Sequence, residues 1–255
     1  MSYLEPLIAS TRRRIEDARR GIEDLARRSA SAPAARGFAR ALGGGGIAIV
    51  AEIKRASPRK GPLDLDLNAA STAAAYARGG AAALSVLTEP DHFKGTLDDL
   101  VAARGAGLPV LRKDFILDAV QLLEARAAGA DAVLLIVRIL EEALVDLHAE
   151  TLALGMDALV EVHDEVELQR SVDIGAQLIG VNHRDLTTFE VDPERTAKLA
   201  PLVPEGTILI ALSGVSTRAE VEELEAQGAD AVLVGESLVT SADPEAKLRE
   251  LLGAT

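Results

Sequence analysis

The stretch 47–61, IAIVAEIKRASPRKG, holds the first residues able to do chemistry. Ile47, Ile49 and Val50 lead into Glu52, Ile53 and Lys54, and Ser57-Pro58 then stops the run. A β-strand alternates its faces, so Glu52 and Lys54 share one face and Ile53 takes the other. Two charges on one face at the tip of an apolar strand carry a desolvation penalty. Taken alone, the pair is equally a surface ion pair on a strand that emerges into solvent.

Further apolar runs end in the same way. Their tips read Lys113-Asp114-Phe115, Glu161-Val162-His163, Asn182-His183-Arg184, Leu212-Ser213-Gly214 and Gly235-Glu236-Ser237. One polar tip is ordinary, but a series on successive strands is a constellation. Lys54, Lys113, Glu52 and Glu161 at one mouth suit general acid–base chemistry, since burial and close neighbours poise their pKa values. Ser213-Gly214 and Gly235-Glu236 end the last two strands, where backbone N–H groups and a short helix bind phosphate. Phe93 and Phe115 also follow strand ends. Core packing accounts for each, and a wall for an aromatic ring is the functional alternative. His163 and His183 read as structural loop histidines, outside the catalytic set.

Such tips need a scaffold that gathers them. Residues 47–54, 82–87, 109–113, 132–137, 158–162, 178–182, 208–212 and 231–235 read as strands, spaced for one βα unit each. Their bodies are continuous apolar runs, as in a parallel sheet covered on both faces. Gly80-Ala81, Gly129-Ala130-Asp131, Gly175-Ala176-Gln177 and Gly228-Ala229-Asp230 repeat one grammar: a glycine ends a helix in the left-handed region and a strand follows at once. A doubly wound open sheet is the alternative, but the glycine-rich fingerprint after its first strand is missing here. The expected fold is α/β: a single (β/α)8 TIM barrel over 47–255 with an N-terminal helical extension over 1–46 packed on it, one domain overall.

Residues 4–28 read as one amphipathic helix, with Leu4, Leu7, Ile8, Thr11, Ile15, Ala18, Ile22 and Leu25 at three-and-four spacing. Its stripe is expected to pack on the barrel; a dimer seam or an acidic partner is the alternative. Ala32-Pro33 and Gly43 to Gly46 read as loosened chain ahead of the first strand.

Composition excludes several functions. With 255 residues, 48% of them hydrophobic, the chain can bury a large core, and with 2% aromatics that core must be Leu, Val, Ile and Ala. No apolar run is long enough to span a bilayer, so no membrane role is expected. The charged N-terminus lacks an apolar signal core, which reads as cytoplasmic. Cysteine is absent, excluding disulfides and thiolate chemistry, and the four histidines lack metal-ligand spacing. Without metal ligands or a nucleotide motif, no cofactor is expected. A net charge of −13 argues against nucleic acid, and an anionic substrate would need local positive charge.

These residues resemble one family closely, the indole-3-glycerol phosphate synthases of tryptophan biosynthesis. The matching stretches are AEIKRASP (51–58), SVLTEPDHFKG (85–95), PVLRKDFI (109–116), DAVLLIV (131–137), ALVEVH (158–163), IGVNHRDL (179–186) and DAVLVGESL (230–238). They cover every strand but the seventh, and LRKDF with GVN-x-RDL is a highly specific pair. The N-terminal helix also resembles the extension this family carries ahead of its barrel.

The resemblance implies a phosphorylated anionic substrate, 1-(2-carboxyphenylamino)-1-deoxyribulose 5-phosphate. Ring closure onto the ribulose carbonyl, loss of CO2 and loss of water give indole-3-glycerol phosphate. By the same resemblance, Lys113 is the general acid for closure and Glu161 its acid–base partner in later steps. Lys54 holds the carboxylate and serves dehydration together with Glu52. Asn182 and Arg184 position substrate, Ser57 lines the first loop, and Phe93, Phe115, Leu212 and Leu233 line the substrate site. Ser213 belongs to both the catalytic set and the phosphate cradle, with Gly214, Gly235 and Glu236. A monomer is expected, a dimer being the alternative.

Two departures stand out. The family's S-P-S-K-G is here Ser57-Pro58-Arg59-Lys60-Gly61, and its A-E-S-G is Ala211-Leu212-Ser213-Gly214. Leucine in place of a ligand-facing glutamate implies a weakened synthase. The rival functions are a Schiff-base, aldolase-type barrel using Lys113 or Lys54, and a ligand-binding barrel whose turnover is impaired by Leu212.

Overall fold

The computed structural model describes residues 4–185 and 190–254. Leu186, the last residue of the GVN-x-RDL match, lies outside the described residues. Eight parallel strands close into a barrel: β1 (Ala48–Ile53), β2 (Ala83–Leu87), β3 (Val110–Lys113), β4 (Ala132–Ile136), β5 (Asp157–Val162), β6 (Leu178–Asn182), β7 (Ile208–Leu212) and β8 (Ala231–Val234). Each pairs with the next, and β8 returns to β1 with Val50 opposite Leu233. Every strand lies within one residue of its expected bounds.

Alternation along the strands builds two apolar layers. Val50, Ala83, Leu111, Leu134, Leu159 and Ile210 fill the barrel. Ile49, Leu84, Val110, Val133, Val160 and Leu209 face outward to the helices. Those helices are α4 (Ala69–Gly79), α5 (Leu97–Ala103), α6 (Ala119–Ala128), α7 (Val137–Leu140), α8 (Ala143–Ala153), α9 (Glu165–Asp173), α10 (Arg195–Leu199), α11 (Arg218–Ala226), α12 (Glu236–Val239) and α13 (Pro244–Leu252). Most long ones start at a side-chain cap, such as Asn68, Thr96, Asp118, Asp164 and Thr217, which satisfies a free N–H of the first turn. The four repeated joint glycines have φ of 98°, 85°, 73° and 99°, the left-handed conformation the repeat requires. Two copies of the repeat share a further job. Asp131 accepts from Val110 N at 2.7 Å and Asp230 from Leu209 N at 2.8 Å, each tying its turn to the preceding strand.

The N-terminal segment departs from expectation. The single helix over 4–28 is two, α1 (Leu4–Arg19) and α2 (Ile22–Ser31). Gly21 sits off the helix at φ −108°, ψ 18°, where a glycine interior would destabilise a helix by about 1 kcal/mol. The break lets both halves contact α6. The chain before β1 is also not merely loose. It forms α3 (Phe38–Leu42), whose Phe38 and Leu42 are buried in the interior cluster beside Ala132 and Leu178. Ala39 N donates to Asp157 Oδ2 at 2.9 Å, at the first residue of β5. This short helix therefore plugs the end of the barrel where the strands begin, leaving the opposite end open.

Candidate active site

The open end holds a cavity of about 520 Å³ lined by the strand tips. That volume suits a small organic ligand. Glu52 is its electrostatic centre. One carboxylate oxygen lies 2.6 Å from Lys54 Nζ and the other 3.5 Å from Lys113 Nζ. Burial alone would push the Glu52 carboxyl up, but the two ammonium groups outweigh it and hold the group below the ordinary carboxylate range. Glu52 is thus ionised and shared between two cations.

Across the cavity, Glu161 is nearly inaccessible and accepts from Asn182 Nδ2 at 2.9 Å. Arg184 N donates to Asn182 Oδ1 at 3.0 Å, which fixes the amide's orientation. The Arg184 guanidinium also lines the cavity; burial, with Arg59 nearby, depresses its pKa. His163, left aside as structural, lies behind Glu161 with its Nε2 3.5 Å from Oε1. His183 does behave structurally, bonded to Thr196 Oγ1 at 2.7 Å and to Ser213 O at 3.2 Å.

Lys113 is backed by a buried network. Asp114 meets Arg14 of α1 at 3.0 Å, Arg112 at 3.1 Å and Thr88 at 2.7 Å. Burial opposes its charge, yet Arg112 and Arg14 hold Asp114 below the usual range. On the apolar side, Phe93 and Phe115 line the cavity with ring centroids 6.4 Å apart, tilted by 42°. Leu4 and Leu7 of α1, Leu134, Ile136 and Leu233 complete that wall.

At the far end stand Ser213, Gly214, Gly235 and Glu236. Ser213 and Gly214 both take the left-handed conformation, with φ of 71° and 88°. This is costly for serine, and such strain gathers at functional sites. Glu236 pairs with Lys60, which reaches over from the loop after β1. Ser57 and Arg59 of that loop face the cavity too.

All but one of the expected site residues line this cavity. Leu212 does not. Its side chain is 1% exposed and packs in the interior cluster, and a Cβ on Gly180 would stand 2.8 Å from its Cδ1. Gly180 leaves a hole in the inward layer of β6, and Leu212 fills it from β7. The leucine is a filler beneath the cavity, not a wall of it. Residues that were not anticipated include Leu4, Leu7, Lys60, Ser216 and Thr240. The helical stripe already marked Leu4 and Leu7 as covered, though not by a ligand cavity.

Residues 4–251 match the family model described as indole-3-glycerol phosphate synthase. The chain is 51% identical to indole-3-glycerol phosphate synthase 2 of Streptomyces coelicolor over 227 residues, covering 88% of each. The chain belongs to the indole-3-glycerol phosphate synthase family. Membership places it among the carboxy-lyases of tryptophan biosynthesis. It is also 52% identical to the multifunctional tryptophan biosynthesis protein of Schizosaccharomyces pombe, over 80% of this chain but 28% of that longer protein. Among solved structures, a thiamine phosphate pyrophosphorylase from Pyrococcus furiosus superposes with a TM-score of 0.61 at 17% identity, over 81% of this chain and 94% of its own. That likeness speaks to the barrel alone. Among the described residues no cluster of His, Cys, Asp or Glu could hold a metal ion, and no helix is long and apolar enough to cross a membrane.

Proposed function

We propose that this cavity converts 1-(2-carboxyphenylamino)-1-deoxyribulose 5-phosphate to indole-3-glycerol phosphate. The observation that carries the proposal is Glu52 held between Lys54 and Lys113, facing an apolar wall on one side and Glu161 on the other. Phe93, Phe115 and Leu233 take the aromatic ring. Lys54 and Arg184 face its carboxylate, and Ser213, Gly214 and Gly235 take the phosphate. Lys60 offsets the Glu236 carboxylate, which would otherwise repel that phosphate.

In this assignment the ring carbon bearing the carboxylate attacks the ribulose carbonyl. Lys113 gives a proton to the carbonyl oxygen as its charge develops, a contribution that typically lowers barriers by ~10²–10⁴-fold in rate. CO2 leaves and its electron pair restores the aromatic ring. The new hydroxyl then departs as water, with Lys54 and Glu52 serving the leaving oxygen and Glu161 taking the proton lost in forming the double bond. Asn182 and Ser57 position the substrate. The Schiff-base alternative is less well supported. Both lysines are ion-paired to Glu52, whereas a nucleophilic amine must first shed its proton.

A monomer as the active unit and a cytoplasmic location belong to the same proposal. The test is incubation with the carboxyphenylamino substrate. Indole fluorescence should rise with one CO2 released per turnover, and borohydride should trap no adduct. No fluorescence, or a trapped lysine adduct, overturns the assignment.

A further inference from the structure

The buried histidine behind Glu161 has a geometry that packing does not account for. Glu161 lies near the end of β5 and His163 just past it, two residues apart, and the His163 side chain is fully buried. Its Nδ1 lies 3.0 Å from Glu167 Oε2, which also accepts from the His163 backbone N at 2.8 Å. Glu167, on α9, is in turn held by Arg138 Nε at 2.7 Å. Burial works against the Glu167 charge, but His163 and Arg138 keep its carboxyl below the ordinary range, so it is an acceptor only. Nδ1 must therefore carry a hydrogen.

That assignment leaves Nε2, which is buried, has no hydrogen-bond partner of good geometry, and points 3.5 Å from Glu161 Oε1. Asn182 Nδ2 donates to the same oxygen, which engages one of its lone pairs and leaves the other for a second donor. A neutral imidazole would set the Nε2 lone pair against a carboxylate oxygen. The contact is favourable only if one proton lies between the two groups: on Glu161 with neutral His163, or on His163 with ionised Glu161. On the His163 side the charges are Glu167 on α9 and, through it, Arg138 on α7, which is also bound to Asp164 and Asp185; on the cavity side Glu161 shares the site with Glu52, Lys54, Lys113 and Arg184. Glu167, itself fixed by Arg138, keeps the imidazole in place.

We propose that His163 is a positioning residue that shares one proton with Glu161, making the pair a single acid–base unit. The proposal rests on the role given above to Glu161. With the proton on His163, Glu161 is a carboxylate, and Oε2, which takes part in neither contact, can accept a proton from the substrate. With the proton on Glu161, that carboxyl can release one. No proton is created or lost in the exchange. His163 does not line the cavity, so it acts on chemistry and not on binding.

The test compares His163→Gln, which can hydrogen-bond but not titrate, with His163→Phe, which keeps only bulk. Both should lower kcat by about 10-fold or more, less than the ~10²–10⁴-fold typical for loss of the acid–base group itself. KM should stay unchanged, and the pH dependence of kcat should shift. Ring ¹⁵N resonances give a second readout that needs no His163 variant. The Nε2 protonation curve of His163 should differ between the unaltered protein and Glu161→Gln. Folded His163 variants with unaltered kcat and pH profile, or identical Nε2 curves in the two proteins, overturn the proposal. An unaltered protein that makes no indole-3-glycerol phosphate overturns instead the function on which it rests.

Discussion

Gly235 leaves the space that Glu52 occupies: a Cβ at position 235 would stand 2.4 Å from Glu52 Oε1 and 3.1 Å from its Cβ. The glycine's φ is −124°, so its conformation does not demand glycine. The close approach does. Gly235→Ala should push Glu52 away from Lys54 and Lys113, whose contacts are 2.6 Å and 3.5 Å. Turnover should fall by ~10²-fold, the scale of a misplaced catalytic group. A variant that is folded and fully active would show that the lysines do not depend on Glu52.

Lys113 sits at the end of β3 with its side chain 21% exposed in the cavity. Lys113→Met should therefore reduce kcat by ~10²–10⁴-fold with little change in Tm. The two measurements belong together. A fall in Tm that tracks the loss of turnover would make Lys113 a structural cation, and near-normal turnover would remove it from the mechanism.

The barrel and most of its polar mouth are legible in the amino-acid sequence. Continuous apolar runs mark the strands, and Gly-Ala-Asp at 129–131 and 228–230 marks the joints. The polar tips point into one cavity because a closed parallel barrel leaves alternating residues little choice of face. What stays hidden depends on partners distant in sequence. Phe38 and Leu42 stand four apart on one helical face, but a five-residue helix is too short for that pair to stand out as a stripe, and only the barrel's open base gives them a place. His163 reads as a loop residue because Glu167, which fixes its hydrogen, comes from the next helix.

Arg14 links the N-terminal segment to the site through two 3.0 Å bonds to Asp114. Arg14→Met leaves a buried carboxylate with one cation fewer, a loss of about 1–3 kcal/mol. For a chain of this size each kcal/mol lowers Tm by about 2–4 °C. KM should rise as well, since Leu4 and Leu7 reach the cavity from the same helix. Loss of stability with KM unchanged would confine α1 to a structural role.

Stability should decline in two stages on acidification. Burial depresses the pKa values of His148 and His183, so below the unfolded value of about 6.5 the unfolded chain binds protons more readily. Their contribution is complete above that pH and is lost as pH falls below it. The depressed Glu52 and Asp114 carboxyls act lower, contributing above about pH 4 and losing that contribution as pH drops through their folded values. Melting curves from pH 8 to 3 should show both stages. His148→Leu should flatten the first; if its slope between pH 7 and 5.5 matches the unaltered protein, His148 does not contribute.

Leu212 decides whether this chain is a weakened enzyme. The sequence resemblance makes it a missing ligand-facing carboxylate, whereas its side chain fills the space over Gly180 beside Leu159. The counter-charge for the lysines comes from Glu52 and leaves no such task at 212. Leu212→Glu must bury a carboxylate in an apolar layer, at a penalty of several kcal/mol unless the group is protonated or paired. Tm should drop by several degrees, and kcat/KM should stay level or fall. Leu212→Met, which keeps volume and polarity, should cost less than about 1.5 kcal/mol and leave turnover intact. A folded glutamate variant that is severalfold faster would reverse the conclusion: the carboxylate would then reach the substrate, and the leucine would be the defect the sequence comparison implied.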